Sequence, residues 1–590
     1  MSHLESTIKN SRFTPQKLFF LLLTLQFVIA PFYYQPNFGG EGLYLPYNSS
    51  VWFIAVWVIA SAALLISWNG HIILPRYWLG LSLLPLGALI SGFIVQNSNP
   101  SEWLTRVSVI IGGFFFFISL FQFRLSSKQI DQSLYIVLAM GMIAAAYGLF
   151  QIHGMEKIYP FIPNTIDGQP IGIFQQINIQ ASLMATLLAL IYYIASRPSI
   201  NSMSLFIKVA LCLTAFVASY NIAASGSRVG LLGASLAILV LVIGRWRLFK
   251  LRKMTIFFIF IFTIAGSGLQ IGGLQKSTLK FDRAIGGVDA DIRWKVYKIS
   301  WDLFLESPLT GHGLGSFQKV FQEKRKEYQR NDILHLGNSP RFSHPHNELM
   351  FWMVEGGLIA IMGIIIAASA TFFQFFRLGW QRSSAYAALL IPITLHTQVE
   401  LPFYTANTHW LLLLFLLFIT HQHGKKKRST EKLSLAAIRL IPLTFIIVAI
   451  ISSWQLVQAQ ISNAYLIKYF ASRSTELQFL ASPINSLYFR QHALYLFYRH
   501  KMYEGLERKE ARPVSEFISY TEGLLKRTPA LKYYVDLINA YNILGEKNKR
   551  DQYLEDALGI YEENKHLLAM KEKIESNDSS KKGKDNLNDQ

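Results

Sequence analysis

The segment His344-Pro-His-Asn-Glu348, followed by Glu355-Gly-Gly357, gathers titratable side chains at the start of an apolar run. A neutral imidazole can take a proton from a hydroxyl, and a nearby carboxylate can orient it. Pro345 suits the first position of a helix, which predicts that His346 lies in the first helical turn. There the positive end of the helix dipole disfavours protonation and keeps the ring in the form a base needs. Glu348 and Glu355, seven residues apart, share one helical face and can orient the histidine or a neighbouring cation. Two histidines separated by one residue are also candidate metal ligands, although no HExxH context and no cysteine partner accompany them.

Four further groups have similar character. Gln176 and Asn178 begin an apolar run, and Asn178 is a candidate helix cap. Ser225-Gly-Ser-Arg-Val-Gly230 delivers Arg228 to the start of another run, where it either snorkels to the interface or binds an anion. Arg293 opens a stretch in which Ile292, Val296, Ile299 and Leu303 recur at helical spacing with Trp301 alongside. With Asp289 and Asp291 before it, this reads as an interfacial helix with an acidic start, and Arg293 faces either lipid headgroups or a specific phosphate. The following Ser307–Gly315 is too rich in turn formers for a helix. Its glycines would let backbone amides approach an anion, but they do not match a nucleotide phosphate loop. Finally, Thr394-Leu-His-Thr-Gln-Val-Glu-Leu-Pro402 places His396, Gln398 and Glu400 around the end of a span expected to terminate at Pro402.

The elements that must hold these residues are membrane helices. Of 590 residues, 52% are hydrophobic and only 16% charged, with mean hydropathy +0.29, which excludes an ordinary soluble chain. Thirteen apolar runs are long enough to span a bilayer: roughly 18–35, 51–68, 76–95, 104–123, 133–150, 177–195, 204–221, 229–244, 254–270, 347–370, 383–400, 407–421 and 437–457. The net charge of +20 and pI near 9.7 would suggest nucleic acid in a soluble protein. Here the basic residues collect in alternate connections: Lys9, Arg12 and Lys17 at the start, Arg245 to Lys253 after the eighth run, Lys425 to Lys432 before the last. The short connections of the other set hold only Arg106, Lys157 and Arg228. By the positive-inside rule the basic set is cytoplasmic, and the five groups above face outward. No nucleic-acid partner is expected. The single cysteine, Cys212, lies in an apolar run, so no disulfide framework forms.

Residues 1–460 therefore read as a membrane catalytic domain with a large outward loop at 271–346. Residues 461–575 read as a soluble helical domain. Within it, Leu537, Tyr541, Gly545, Leu554 and Ala557 follow tetratricopeptide spacing, and an ordinary helical hairpin explains them equally well. Residues 576–590, rich in Ser, Lys, Asp and Asn, predict a disordered tail. Outward arginines can bind a pyrophosphate and stabilise it as a leaving group, a neutral histidine can deprotonate an attacking hydroxyl, and a cavity open to lipid would admit a polyprenyl-linked donor. A transporter would instead place charges deep in several spans; here Glu355 is the main one.

The motifs Ser227-Arg228-x-Gly230, Arg293…Pro308-Leu-Thr-Gly-His-Gly-Leu-Gly315 and His344-Pro-His-Asn-Glu…Glu355-Gly-Gly resemble those of the bacterial O-antigen ligase/polymerase superfamily. Phe174-Gln-Gln-Ile-Asn178 and Gln398-Val-Glu-Leu-Pro402 resemble its PglL-type O-oligosaccharyltransferases, although Ile177 and Ile179 stand where that subgroup often has Pro and His. The resemblance implies an all-α, GT-C-like membrane enzyme of the inner membrane, independent of metal and cofactor. Its donor would be an undecaprenyl-diphosphate-linked glycan and its acceptor a Ser or Thr of a periplasmic protein such as a pilin. His346 would be the base, Arg228 and Arg293 the pyrophosphate binders, and Gln176 a further site group. Asn178, His344, Asn347, Glu348, Glu355 and Glu400 would line the substrates. O-antigen ligase, with lipid A core as acceptor, and O-antigen polymerase are the close alternatives.

Overall fold

The computed structural model describes residues 14–95, 99–270, 272–273, 275, 292–339, 341–422 and 429–588. Lys9, Arg12, Asp289, Asp291 and Lys425 to Arg428 lie outside the described residues.

Each predicted apolar run is one helix. They are α1 (Pro15–Thr24, continued by π and 3-10 turns to Phe32), α2 (Pro46–Asn69), α3 (Trp78–Ile94), α4 (Pro100–Gln122), α5 (Ser127–Ile152), α6 (Ile177–Ala195), α7 (Leu205–Ser225), α8 (Arg228–Lys250) and α9 (Lys253–Gly268). After two helices of the 271–346 loop, α10 (Ile292–Glu306) and α11 (Phe317–Arg330), come α12 (Glu348–Leu378) and α13 (Trp380–His396). The four-residue α14 (Pro402–Thr405), then α15 (Asn407–Gln422) and α16 (Leu435–Ala471) follow. Among the described residues nine helices are long and apolar enough to cross a membrane, and α3 and α9 are shorter apolar helices. The chain is thus an all-α multi-pass membrane protein. Its starts are set locally: Thr14, Ser126, Gln176, Ser204, Ser227, Asn347 and Ser434 each accept an amide of the first turn they precede.

Every residue of α6 from Ile179 to Ala195 is buried. A helix apolar on all sides belongs at the centre of a bundle, and α5, α7, α8 and α13 surround it. Around this core α12 packs along α3, and α16 along α2. At the end carrying the basic connections, β1 (His71–Leu74) pairs antiparallel with β2 (Ser429–Lys432). The opposite end carries the residues singled out above.

Helix α16 runs unbroken through the expected boundary at 460, and its Leu466 and Tyr469 join the core of the C-terminal domain. That domain comprises α17 (Ala481–Asn485), α18 (Arg490–Arg508), α19 (Ala511–Leu525), α20 (Leu531–Leu544), α21 (Lys547–Ile560) and α22 (Lys565–Asn588), and from α18 onward each helix packs on the next. Leu537, Tyr541, Leu554 and Ala557 are buried between them. The backbone stays helical to Asn588 where composition predicted a disordered tail. Charged pairs such as Lys571 and Glu575, one turn apart, favour that continuation.

Candidate active site

Asn347, not Pro345, sets the start of α12. Its side-chain oxygen accepts the Met350 amide at 2.9 Å, so Glu348 is the first helical residue. His346 stands just outside the helix with φ of 57°, rather than in the first turn as the proline suggested. A non-glycine residue in the left-handed region needs support from its surroundings. The His346 amide donates to Nδ1 of His344 at 3.2 Å. Next to it, the Glu348 amide donates to the Thr397 carbonyl at 2.8 Å and the Asn347 side chain to the Gln398 carbonyl at 2.9 Å. These bonds lace the start of α12 to the turn after α13. That helix ends at His396, six residues before the expected stop, and Pro402 instead opens α14.

The lacing brings Glu400 to the histidine. Nδ1 of His346 lies 2.8 Å from Oε2 of Glu400, and Nη2 of Arg293 lies 3.1 Å from Oε1. Burial pushes the Glu400 pKa up, but the hydrogen bond from His346 and the charge of Arg293 hold it below the usual carboxylate range. An ionised carboxylate only accepts, so Nδ1 of His346 carries the proton. A neutral ring then presents an unprotonated Nε2.

His344 is held in turn. Its Nε2 lies 3.3 Å from Oε1 of Glu41, in the loop between α1 and α2. One neutral tautomer satisfies both contacts, Nε2–H donating to Glu41 while Nδ1 accepts the His346 amide. Burial pushes the Glu41 pKa up, yet the hydrogen bond from His344 and the charges of Arg106 and Arg341 hold it below the usual range. The donor atoms of His344, His346 and Glu400 lie within 4.8 Å of one another, close enough for a metal ion. The lone pairs a metal would take are already engaged, His344 Nδ1 by an amide and Glu400 by His346 and Arg293, so the group fits a hydrogen-bonded relay better than a metal centre.

Glu355 serves a cation, not the histidine. It is buried in α12, forms an ion pair with Arg106 of α4, and accepts the Phe317 amide at 3.0 Å. Arg106 also pairs with Glu102 at 3.3 Å and lies over the Phe351 ring, 4.4 Å from its centroid. Just beyond Glu355, α12 is interrupted at Gly357, with φ 59° and ψ −161°, a conformation open essentially to glycine alone. The Ser307–Gly315 segment fills the break. His312 and Gly313 donate to the carbonyls of Val354 and Glu355, at 2.8 and 3.0 Å, and the Leu358 amide donates to the Pro308 carbonyl at 2.8 Å. The amides of His312 and Gly313 therefore bind backbone, and that of Gly315 binds the Glu355 carboxylate. The break holds the chain's own backbone.

Gln176, rather than Asn178, caps α6, accepting the Ile179 amide at 2.7 Å. Asn178 lies in the first turn, and its oxygen accepts from the Ser227 hydroxyl at 2.8 Å. Ser227 caps α8, so Asn178 fixes the turn that presents half-buried Arg228. One turn deeper, Ser182 bonds to both His396 and His409, at 2.9 and 3.2 Å, and both rings are buried. His396 thus packs α6 against α13 and does not line the site. Glu348, another predicted site residue, accepts from the Trp352 indole at 3.2 Å.

Sequence reasoning missed Glu41 as a site residue and placed Arg106 merely in a connection. Arg106 fell inside the fourth apolar run, and a cation within a span is itself a signal. Glu41 carries no comparable mark.

The arrangement combines an imidazole oriented by a carboxylate with a guanidinium held by the same carboxylate. That set suits removal of a proton from a hydroxyl next to an anionic leaving group. Residues 213–365, which contain Arg228, Arg293, His346 and Glu355, match the model of the O-antigen ligase family. Residues 384–574, which contain Glu400 and most of the C-terminal domain, match the C-terminal model of the virulence factor membrane-bound polymerases. No curated protein matches the sequence. The two matched segments follow one another along one helical multi-pass chain, which makes it similar to the O-antigen ligases and polymerases.

Proposed function

We propose that this protein is an O-oligosaccharyltransferase that moves a glycan en bloc from undecaprenyl diphosphate to Ser or Thr of a periplasmic protein, with pilins as candidate acceptors. The observation that carries the reading is the pairing of His346 and Arg293 on opposite oxygens of Glu400. The acceptor hydroxyl gives its proton to Nε2 of His346 as its oxygen bonds to the anomeric carbon. The bond from that carbon to the diphosphate oxygen breaks, and its electron pair leaves on undecaprenyl diphosphate. Arg293 and Arg228 offset the charge gathering there. Gln176, at the start of α6, is a further polar group in this reading. No step calls for a metal or cofactor.

The site end of the bundle faces the periplasm of a bacterial inner membrane in this reading, with the N-terminus cytoplasmic, because the basic connections crowd the opposite end. The C-terminal domain favours a protein acceptor, since it offers a helical surface beside the site. A second reading, ligase or polymerase action on a lipid or glycan hydroxyl, draws on the O-antigen ligase match over 213–365. Purified protein with lipid-linked glycan and an acceptor protein tests the chemistry: His346→Ala should abolish transfer, and full transfer by that variant rules the site out. Glycoproteomics of a deletion strain separates the acceptors. Lost glycopeptides with intact lipopolysaccharide support protein transfer, and the reverse supports ligase.

A further inference from the structure

The C-terminal domain does more than stand beside the site. The loop between α1 and α2 passes between that domain and the membrane bundle, and both grip it. From the domain, the Tyr488 hydroxyl donates to the Glu41 carbonyl at 3.3 Å. The Tyr44 ring meets Tyr488 and Phe489 edge to face, with centroids 5.3 and 4.9 Å apart, and Leu43 and Tyr44 pack against the domain's core. The Tyr44 hydroxyl lies 3.4 Å from Nδ1 of His492. Burial pushes the His492 pKa down to about 4, so the ring is neutral near pH 7 and able to accept. From the bundle, the Asn48 side chain donates to the Gly42 carbonyl at 2.9 Å. Gly42 has φ of 60°, and a Cβ added to it would sit 2.5 Å from the Tyr488 hydroxyl oxygen. Backbone and tyrosine are fitted to each other.

What this clamp presents is the Glu41 carboxylate, 3.3 Å from His344. His344 in turn accepts the amide of His346 and supports its left-handed backbone. Glu41 lies outside both matched segments. The geometry points to Glu41 as a positioning residue, through which the C-terminal domain sets the backbone of the base His346 by way of Tyr488 and His344. A domain that moved away would release the loop, and with it the imidazole. Acceptor engagement and base orientation are thereby joined in one mechanical path.

This inference rests on the transfer reading, and its test separates the two. Full-length protein in lipid nanodiscs is assayed with undecaprenyl-diphosphate-linked oligosaccharide and an acceptor protein. Glu41→Ala should lower kcat about tenfold to a hundredfold, the scale of a displaced catalytic group, with KM for the donor unchanged. Glu41→Gln should recover part of the loss, because its amide oxygen still accepts from His344. Tyr488→Phe, which removes one hydroxyl, should lower kcat by a smaller factor. Wild-type kcat in Glu41→Ala and Tyr488→Phe, with His346→Ala inactive, overturns the inference and leaves the transfer reading standing. If His346→Ala is fully active, the transfer reading fails, and a readout independent of transfer decides: the rate at which diethyl pyrocarbonate modifies His346, followed by peptide mass spectrometry. A changed rate in Glu41→Ala and Tyr488→Phe supports the positioning path, and an unchanged rate overturns it.

Discussion

His346 and Glu400, 54 residues apart in the chain, meet at 2.8 Å from Nδ1 to Oε2. The same carboxylate holds Arg293 at 3.1 Å, so one side chain orients both the imidazole and the guanidinium. Glu400→Ala should therefore cost more than the loss of either contact alone. Transfer should fall about a hundredfold or more, the scale expected when a base loses its orientation and a charge loses its partner. Glu400→Gln keeps an acceptor for Nδ1 but leaves Arg293 without a counter-charge, and should fall between. Steady-state rates of the two variants against wild type check the order.

Chelation should leave the rate unchanged. Both ring nitrogens of His344 and Nδ1 of His346 are already spent on Glu41, a backbone amide and Glu400. A rate that EDTA abolishes and one divalent ion restores would replace the hydrogen-bonded relay by a metal site.

The buried pair of Arg106 and Glu355 should matter for folding. Removing one partner strands a charge inside the bundle, at a cost of about 3–5 kcal/mol. Arg106→Met and Glu355→Leu should each melt well below wild type in detergent. The double variant, with no stranded charge, should regain much of the difference.

Gly357→Ala should be severe for a steric reason. The new Cβ would lie 2.5 Å from the carbonyl carbon and oxygen of Leu309, and φ of 59° strains an alanine. Expelling the 307–315 segment would unseat the Phe317 amide from Glu355. Low yield of monodisperse protein, or a melting point clearly below wild type, is the expected result.

Contact between the loop that carries α10 and α11 and the C-terminal domain should weaken as pH rises. His335 lies 2.8 Å from Glu562 and 2.7 Å from Asp332, and hydrogen bonds to these carboxylates, Glu562 first, raise its pKa. A raised folded pKa contributes stability that is fully present below the unfolded value near about 6.5 and lost as pH rises through the folded value. The residue is half exposed, so the effect is small. Hydrogen exchange in α21 should increase from mildly acidic to alkaline pH in wild type. His335→Gln should flatten that dependence.

Much of this architecture is legible in residue order, because span length and loop charge are local properties. Helix α10 follows from Val296, Ile299 and Leu303, which recur at helical spacing and are buried. The start of α12 does not, since Pro345 and Asn347 both suit a helix start and only the side chain of Asn347 reaches Met350. Gln176 and Asn178 exchange roles for the same reason. The glycines of 307–315 advertise free amides but not their partner, which lies in the break of a helix some forty residues on. Glu41 is the extreme case: its meaning depends on His344 and Tyr488, both far along the chain, and no spacing rule connects three such positions.

Helix α16 has 37 residues and so extends about 55 Å, well beyond a bilayer. Its first part lies along α2, and its last turns are built into the core of the C-terminal domain. A continuous helix turns by about 100° per residue, so it works as a keyed axle rather than a tether. The azimuth of the domain over the membrane is encoded in how many residues the axle contains. One residue inserted near Ser462 would swing Tyr488 away from the Glu41 carbonyl while leaving every membrane span intact.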